Sequence, residues 1–256
     1  MLRQKNGFTL IELLVVIAII ATLMAILMPV LSHVRKQAKS VMCQSTLKQW
    51  NLIFSMYTND SGARLPSWQK SGDPWPYMLK ALWPKHQDTN DLFLCPMASK
   101  PQPPNSSNRQ IGKTFSPWSL RNVSSQINID CSYGVNIWAQ HVPDNTGKHW
   151  QTVQSKHANN IPMLTDSALW WASGSNVGKP PDPEDVWNNQ SLPSCMNRHN
   201  GFINAVFMDW SIRKVGLKQL WTLKWHRKFN TQGPWTSAGN VQPVDWPEWM
   251  RGFRDY

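Results

Sequence analysis

His199, Asp209 ten residues after it, and Asp166 are the side chains best suited to acid–base or metal chemistry. An imidazole beside a carboxylate can pass a proton or share a cation. A histidine and an aspartate flanking a hairpin more often bond backbone and hold the turn, and that reading is preferred. Asp60, Asp166, Asp182, Asp185 and Asp209 offer hard oxygen ligands for calcium, without the spacing of an EF-hand loop. Calcium is the one cofactor these residues suggest. Gly112-Lys113-Thr114 looks like half of a phosphate loop, but Ser107 stands where the first glycine belongs and no apolar strand precedes it. H-E-x-x-H, G-x-S-x-G and a Gly-rich dinucleotide turn are all missing, so nothing in the sequence argues for an enzyme. Cys43, Cys95, Cys131 and Cys195 are widely spaced without a C-x-x-C, which excludes a zinc ribbon and a thioredoxin-like motif.

The elements that must position these groups begin with the amino-terminal run Gly7 to Val30. No charge interrupts Leu13 to Ser32, and about 20 apolar residues in helix suffice to cross a bilayer. Arg3 and Lys5 before it imitate a signal peptide. The run is longer than the usual apolar core of one, and no small-x-small cleavage signal follows, so a retained transmembrane helix is expected. Beyond Pro29, which should kink or loosen the helix, an amphipathic continuation to Asn59 presents Leu31, Val34, Ala38, Val41, Met42, Ser45, Leu52, Ile53 and Met56 as its predicted packing face. Asn59-Asp60-Ser61-Gly62 should end it.

Glu12 is the anomaly, a carboxylate four residues inside the run, where burial in lipid is unfavourable. It could merely sit at headgroup level. The run Lys5-Asn6-Gly7-Phe8-Thr9-Leu10-Ile11-Glu12, followed by the apolar segment, resembles the class III signal of type IV pilins and type II secretion pseudopilins. The resemblance covers about the first 55 residues. It implies cutting by a prepilin peptidase between Gly7 and Phe8, methylation of the new terminus at Phe8, and pairing of Glu12 with a neighbouring subunit's terminal amine. It also implies an inner-membrane assembly platform and other pilin or pseudopilin subunits as partners. The cytoplasmic amino terminus and the periplasmic or extracellular body rest on it too, since lysines and arginines flank the run on both sides.

In an exported domain, four cysteines suggest disulfides, with Cys43–Cys95 and Cys131–Cys195 as the sequential pairing and buried thiols as the competing reading. The organisation expected is a leader over 1–7, a transmembrane helix over 8–30, an amphipathic helix over 31–59, and one globular domain over 60–256. The class is α+β, a long helix packed on a small antiparallel sheet with Trp- and Pro-rich loops. Strands are predicted at Cys131 to Trp138, Ile161 to Thr165, and a hairpin of Ile203 to Met208 with Ile212 to Val215. Short amphipathic helices are predicted at Tyr77 to Trp83 and Gly216 to Phe229. The tail from Asn230 should pack on the domain. His199 and Asp209 also resemble the H-x9-D-G motif of a pseudopilin-like family from planctomycete-type bacteria. Trp210 replaces its glycine, which argues against a shared tight turn.

The net charge of +11 comes from dispersed basic residues and few acids, so it reads as solvated surface rather than a nucleic-acid footprint. A filament subunit is therefore expected. The alternative is a membrane-anchored module holding a polysaccharide or other polymer on some of its 16 tryptophans, though filling a core poor in Leu and Ile is the preferred reading of these. An anchored hydrolase using His199 is a third reading.

Overall fold

The computed structural model describes residues 9–67, 92–102, 109–122, 127–143, 145–173, 178–185 and 192–256. Gly7, Phe8 and the predicted helix at Tyr77 to Trp83 lie outside them. One helix, α1, runs Leu10–Asp60 through Pro29. It contains no glycine, and leucine, isoleucine, alanine and methionine dominate its first half. It ends where the Asn-Asp-Ser-Gly cluster predicts, with Gly62 and Ala63 both at φ +65° and the Ala63 amide donating to the Thr58 carbonyl at 2.7 Å.

The chain divides into two compact units, Met1–Ala38 and Lys39–Tyr256. In the first, the described helical residues are exposed throughout, and this stretch is long and apolar enough to cross a membrane. The second unit is α+β. Strands β1 (Arg109–Gln110), β2 (Trp118–Asn122) and β3 (Ile127–Cys131) form a small antiparallel sheet. Strands β4 (Tyr133–Asn136), β5 (Pro162–Asp166), β6 (Trp171–Ser173), β7 (Phe202–Phe207) and β8 (Ile212–Gly216) form a second, in the order β6-β4-β5-β7-β8. All its pairings are antiparallel except β4 with β6. Gly134 in β4 is needed for close approach, since a Cβ there would lie 2.6 Å from the Leu169 carbonyl oxygen.

Alternation along β7 divides the core. Ile203, Ala205 and Phe207 join one cluster, whereas Val206 and Met208 join the other, as side chains on opposite faces of a strand must. On the first face pack Leu217, Leu220, Trp221, Trp225, Trp246 and Met250 from the carboxy-terminal segment. On the second packs the helix from Lys39 onward, through Cys43, Leu47, Trp50 and Phe54 at spacings of four and three.

That helical face corrects the predicted one. Val41, Met42, Leu52 and Met56 are exposed, because bulky aromatics at 50 and 54 fill the space over the sheet and turn the aliphatic stripe outward. The predicted helix at Gly216 to Phe229 is also corrected. A single 3-10 turn at Lys218–Thr222 forms, Leu223 is extended, and the Trp225 indole folds back to donate to the Leu220 carbonyl at 2.8 Å. Burying Leu223 and Trp225 two residues apart requires extended chain, not a helical repeat. The strand predicted from Cys131 to Trp138 is shorter, breaking at Ser132 and stopping at Asn136. The strand near Ile161 and the hairpin form as predicted.

Candidate functional site: a capped amino-terminal helix and a buried thiol–carboxylate–imidazole cluster

At the start of α1, Thr9 is the cap and Glu12 the third helical residue. The Thr9 amide and hydroxyl donate to Glu12 Oε2 at 2.9 and 2.7 Å, and the Glu12 amide donates back to Thr9 Oγ1 at 3.3 Å. This is a reciprocal capping box, whose T-x-x-E pattern is legible in the sequence.

The second locus lies in the body, between helix and sheet. Asn200 and Gly201, at φ +55° and +86°, make the tight turn that enters β7, a job suited to an Asn-Gly pair. The Asn197 side chain accepts from the Gly201 amide at 2.6 Å, and the His199 amide donates to the Phe202 carbonyl at 3.1 Å. The turn thereby aims His199 at the end of β5. There its Nε2 lies 3.2 Å from Asp166 Oδ2 and 3.4 Å from Cys95 Sγ. Cys43, from α1, places its Sγ 3.7 Å from Asp166 Oδ1 and accepts from the Tyr133 hydroxyl at 3.3 Å. Ligand atoms of Cys43, Cys95, Asp166 and His199 all lie within 4.8 Å of one another, and all four residues are buried.

Arg198 holds this cluster in place. Its guanidinium is buried and donates to Asp166 Oδ1 at 3.1 Å, to the Ser132 carbonyl at 2.7 Å, and to the carbonyls of Thr114 and Lys113 at 2.8 and 3.2 Å. The Asn204 amide donates to Asp166 Oδ2 at 2.8 Å, and the Asn204 side chain accepts from Gln44 of the helix at 2.9 Å. Four groups, His199, Cys43, Arg198 and the Asn204 amide, thus converge on the carboxylate. Burial alone would raise the Asp166 pKa, but the charge and hydrogen bond of His199, with Arg198, bring it down to about 2. His199 would be lowered by burial and is instead raised to about 9 by the Asp166 charge and hydrogen bond and by Cys95. Cys95 would be raised by burial and is brought down to about 6 by the hydrogen bond from the Cys43 thiol, His199 and Arg198. The Cys43 thiol goes the other way, pushed well up by burial and by sharing its hydrogen bond with Cys95.

Several expectations are corrected here. No disulfide joins the four cysteines, whose side chains are all buried thiols. Cys43 and Cys95 do meet, while Cys131 and Cys195 belong to different core clusters on opposite sides of the main sheet. His199 and Asp209 are not partners, because they stand at opposite ends of β7. Asp209 instead caps the hairpin, accepting from the Ser211 amide at 3.0 Å and hydroxyl at 2.6 Å. Trp210 adopts φ +68°, so the tight-turn geometry is present without the glycine. Of the five aspartates, Asp166 is engaged as above, Asp185 accepts from the Thr114 amide at 2.6 Å, and Asp209 serves its turn. Nothing in the sequence spacing marks Cys43 or Cys95 as neighbours of His199, or Arg198 as the partner of Asp166.

Comparison with known proteins matches the description "Prokaryotic N-terminal methylation motif" to residues 2–28. Over 62 residues, 24% of this chain, the sequence is 44% identical to the type IV wide pilus major component PilA4 of Thermus thermophilus. The match takes in 47% of that relative, so the chain spans about half the length of the curated protein it resembles. No solved structure matches. The chain thus carries the prokaryotic N-terminal methylation motif at residues 2–28 and is similar to a type IV pilin over about a quarter of its length, with a long apolar helix ahead of an α+β body.

Proposed function

We propose that this chain is a structural subunit of a type IV pilus-like or type II secretion pseudopilus-like filament. The observation that carries the reading is a methylation motif on a helix whose apolar residues have no partner within their own unit. Some 20 apolar side chains left in water would oppose folding by about 1.5 to 3 kcal/mol each, so the helix requires lipid or other helices around it. A single-pass inner-membrane anchor with its amino terminus in the cytoplasm, then a filament core, supplies both in turn. Its work is association rather than catalysis, and His199, sealed from solvent, gives a substrate no access.

On this reading a prepilin peptidase removes residues 1–7 and methylates Phe8, and Glu12 then pairs with the Phe8 amine of an adjacent subunit. Among the described residues, the twelve tryptophans are buried or half-buried, which favours core filling over the polymer-binding alternative for these twelve. The test is expression with a prepilin peptidase, comparing wild type, Gly7→Leu and Glu12→Leu by intact mass, membrane fraction and sheared fibres. Wild type should lose residues 1–7 and form fibres, Gly7→Leu should stay uncut, and Glu12→Leu should be cut and membrane-bound yet form none. Fibres from Glu12→Leu as abundant as wild type would remove the pairing role.

A further inference from the structure

We propose that Cys43, Cys95, Asp166 and His199 form a structural site for a thiophilic divalent cation, zinc, that cross-links α1 to the sheet of the body. Three of the donor pairs are 3.2 Å from Asp166 Oδ2 to His199 Nε2, 3.4 Å from His199 Nε2 to Cys95 Sγ, and 3.7 and 3.9 Å from Cys43 Sγ to the two Asp166 oxygens, and all four donors lie within 4.8 Å of one another. Zinc bonds of about 2.0 Å to nitrogen or oxygen and 2.3 Å to sulfur span a tetrahedron with edges of roughly 3.3 to 3.8 Å. Closing the widest donor pairs, which lie within 4.8 Å, to such edges takes a shift of no more than about 1 Å.

Charge gives a second argument. Two thiolates and a carboxylate bring three negative charges into a buried place, and Arg198, itself buried, contributes one positive charge beside them. A divalent cation with a neutral imidazole makes the group neutral, which burial demands. Binding requires both sulfurs as thiolates and His199 as the neutral imidazole, so any protons they hold leave as the metal enters. Two sulfur donors select zinc over calcium or magnesium, which prefer oxygen. Surrounding groups then act as supports for the ligands: the Tyr133 hydroxyl on Cys43 Sγ, and Arg198 and the Asn204 amide on Asp166. A disulfide between Cys43 and Cys95 would use the sulfurs alone and leave the convergence of His199 and Asp166 on them without purpose.

The four ligands come from α1, from the segment around Cys95, from β5 and from the turn before β7, so a single ion ties together parts far apart in sequence. The experiment uses the full chain purified in detergent under reducing conditions, with metal content measured after incubation with zinc and gel filtration. Cobalt is the spectroscopic probe. Wild type should hold one zinc per chain and, with cobalt, show thiolate charge-transfer and tetrahedral d–d bands. In Cys95→Ser the charge-transfer intensity should fall to half or less, whereas Cys195→Ala, altered in the other core cluster, should keep both bands. Wild-type spectra settle the matter even if Cys95→Ser does not fold. Substoichiometric zinc, octahedral cobalt spectra, or, in chain isolated without reductant, a mass two hydrogens lighter with Cys43 bridged to Cys95 would each overturn the proposal.

Discussion

The helix residues up to Ala38 and the body that begins at Lys39 use similar amounts of apolar side chain for opposite ends. Leu27 is 57% exposed and Leu47 fully buried, twenty positions apart on one continuous helix. In the body, leucine, tryptophan and phenylalanine are enclosed by the chain itself, so the free energy of burial is realised on folding. In the first unit the same chemistry stays unspent until lipid or other helices arrive. The difference teaches that helix type alone says nothing of where stability resides. Backbone hydrogen bonds sustain both halves, but only the second is fixed by packing within the chain.

The sharpest way to break this comparison is a matched pair of truncations. All 16 tryptophans lie at or beyond position 50, so their fluorescence reports the body alone. Leu47→Ala should destabilise the body in detergent by about 2 to 5 kcal/mol, the range for a buried leucine that leaves a cavity. Leu27→Ala should shift the same transition by less than about 0.5 kcal/mol. Equal shifts would mean that the first unit contributes to the body's folding after all.

A smaller effect tests the hairpin that carries the body's main sheet. Trp210 packs in part against the core, its carbonyl accepts from the Asn51 side chain at 2.9 Å, and its backbone is left-handed. Trp210→Ala and Trp210→Gly both lose the ring, but only alanine keeps the unfavourable φ. Glycine should therefore be the less damaging by about 1 kcal/mol in urea unfolding. A glycine variant no better than alanine would show that the turn relaxes once the ring is gone.

The smallest effect separates the units by pH. Burial, with the charges of Lys148 and Lys224, holds the His226 imidazole down at about 4. Between pH 6.5 and 4 the unfolded chain takes up a proton there that the folded chain refuses, so the body loses stability as pH falls through that window. His226→Gln should flatten the dependence of the body's thermal midpoint on pH over this range. An unchanged slope would assign it to other groups.

The features legible in the sequence are those written in neighbouring residues. The apolar run, the end of α1 at Asn59 to Gly62 and the β7–β8 hairpin depend on periodicity and turn chemistry a few residues wide. The cluster around Asp166 does not, since Cys43, Cys95, Asp166 and His199 are joined only once β5 and β7 pair and the helix lies on them. The packing face of α1 was misread for a related reason. Two stripes of that helix are apolar, and which one is covered depends on whether Trp50 and Phe54 find room over the sheet. The Asn200-Gly201 turn and the Thr9–Glu12 box are likewise written in residues at most three apart, in the same stretches as the reactive-looking His199 and the intramembrane Glu12.

The capping box makes Glu12 an occupied acceptor before any neighbour arrives. A subunit's terminal amine must therefore compete with the Thr9 amide and hydroxyl for the same oxygen, Oε2. Under the proposed pairing, docking is an exchange, and its yield is the difference between two sets of bonds rather than the full strength of the new one. An isolated helix in the bilayer then keeps its carboxylate quenched against stray cations, and surrenders it only where a correctly staggered amine outbids the threonine.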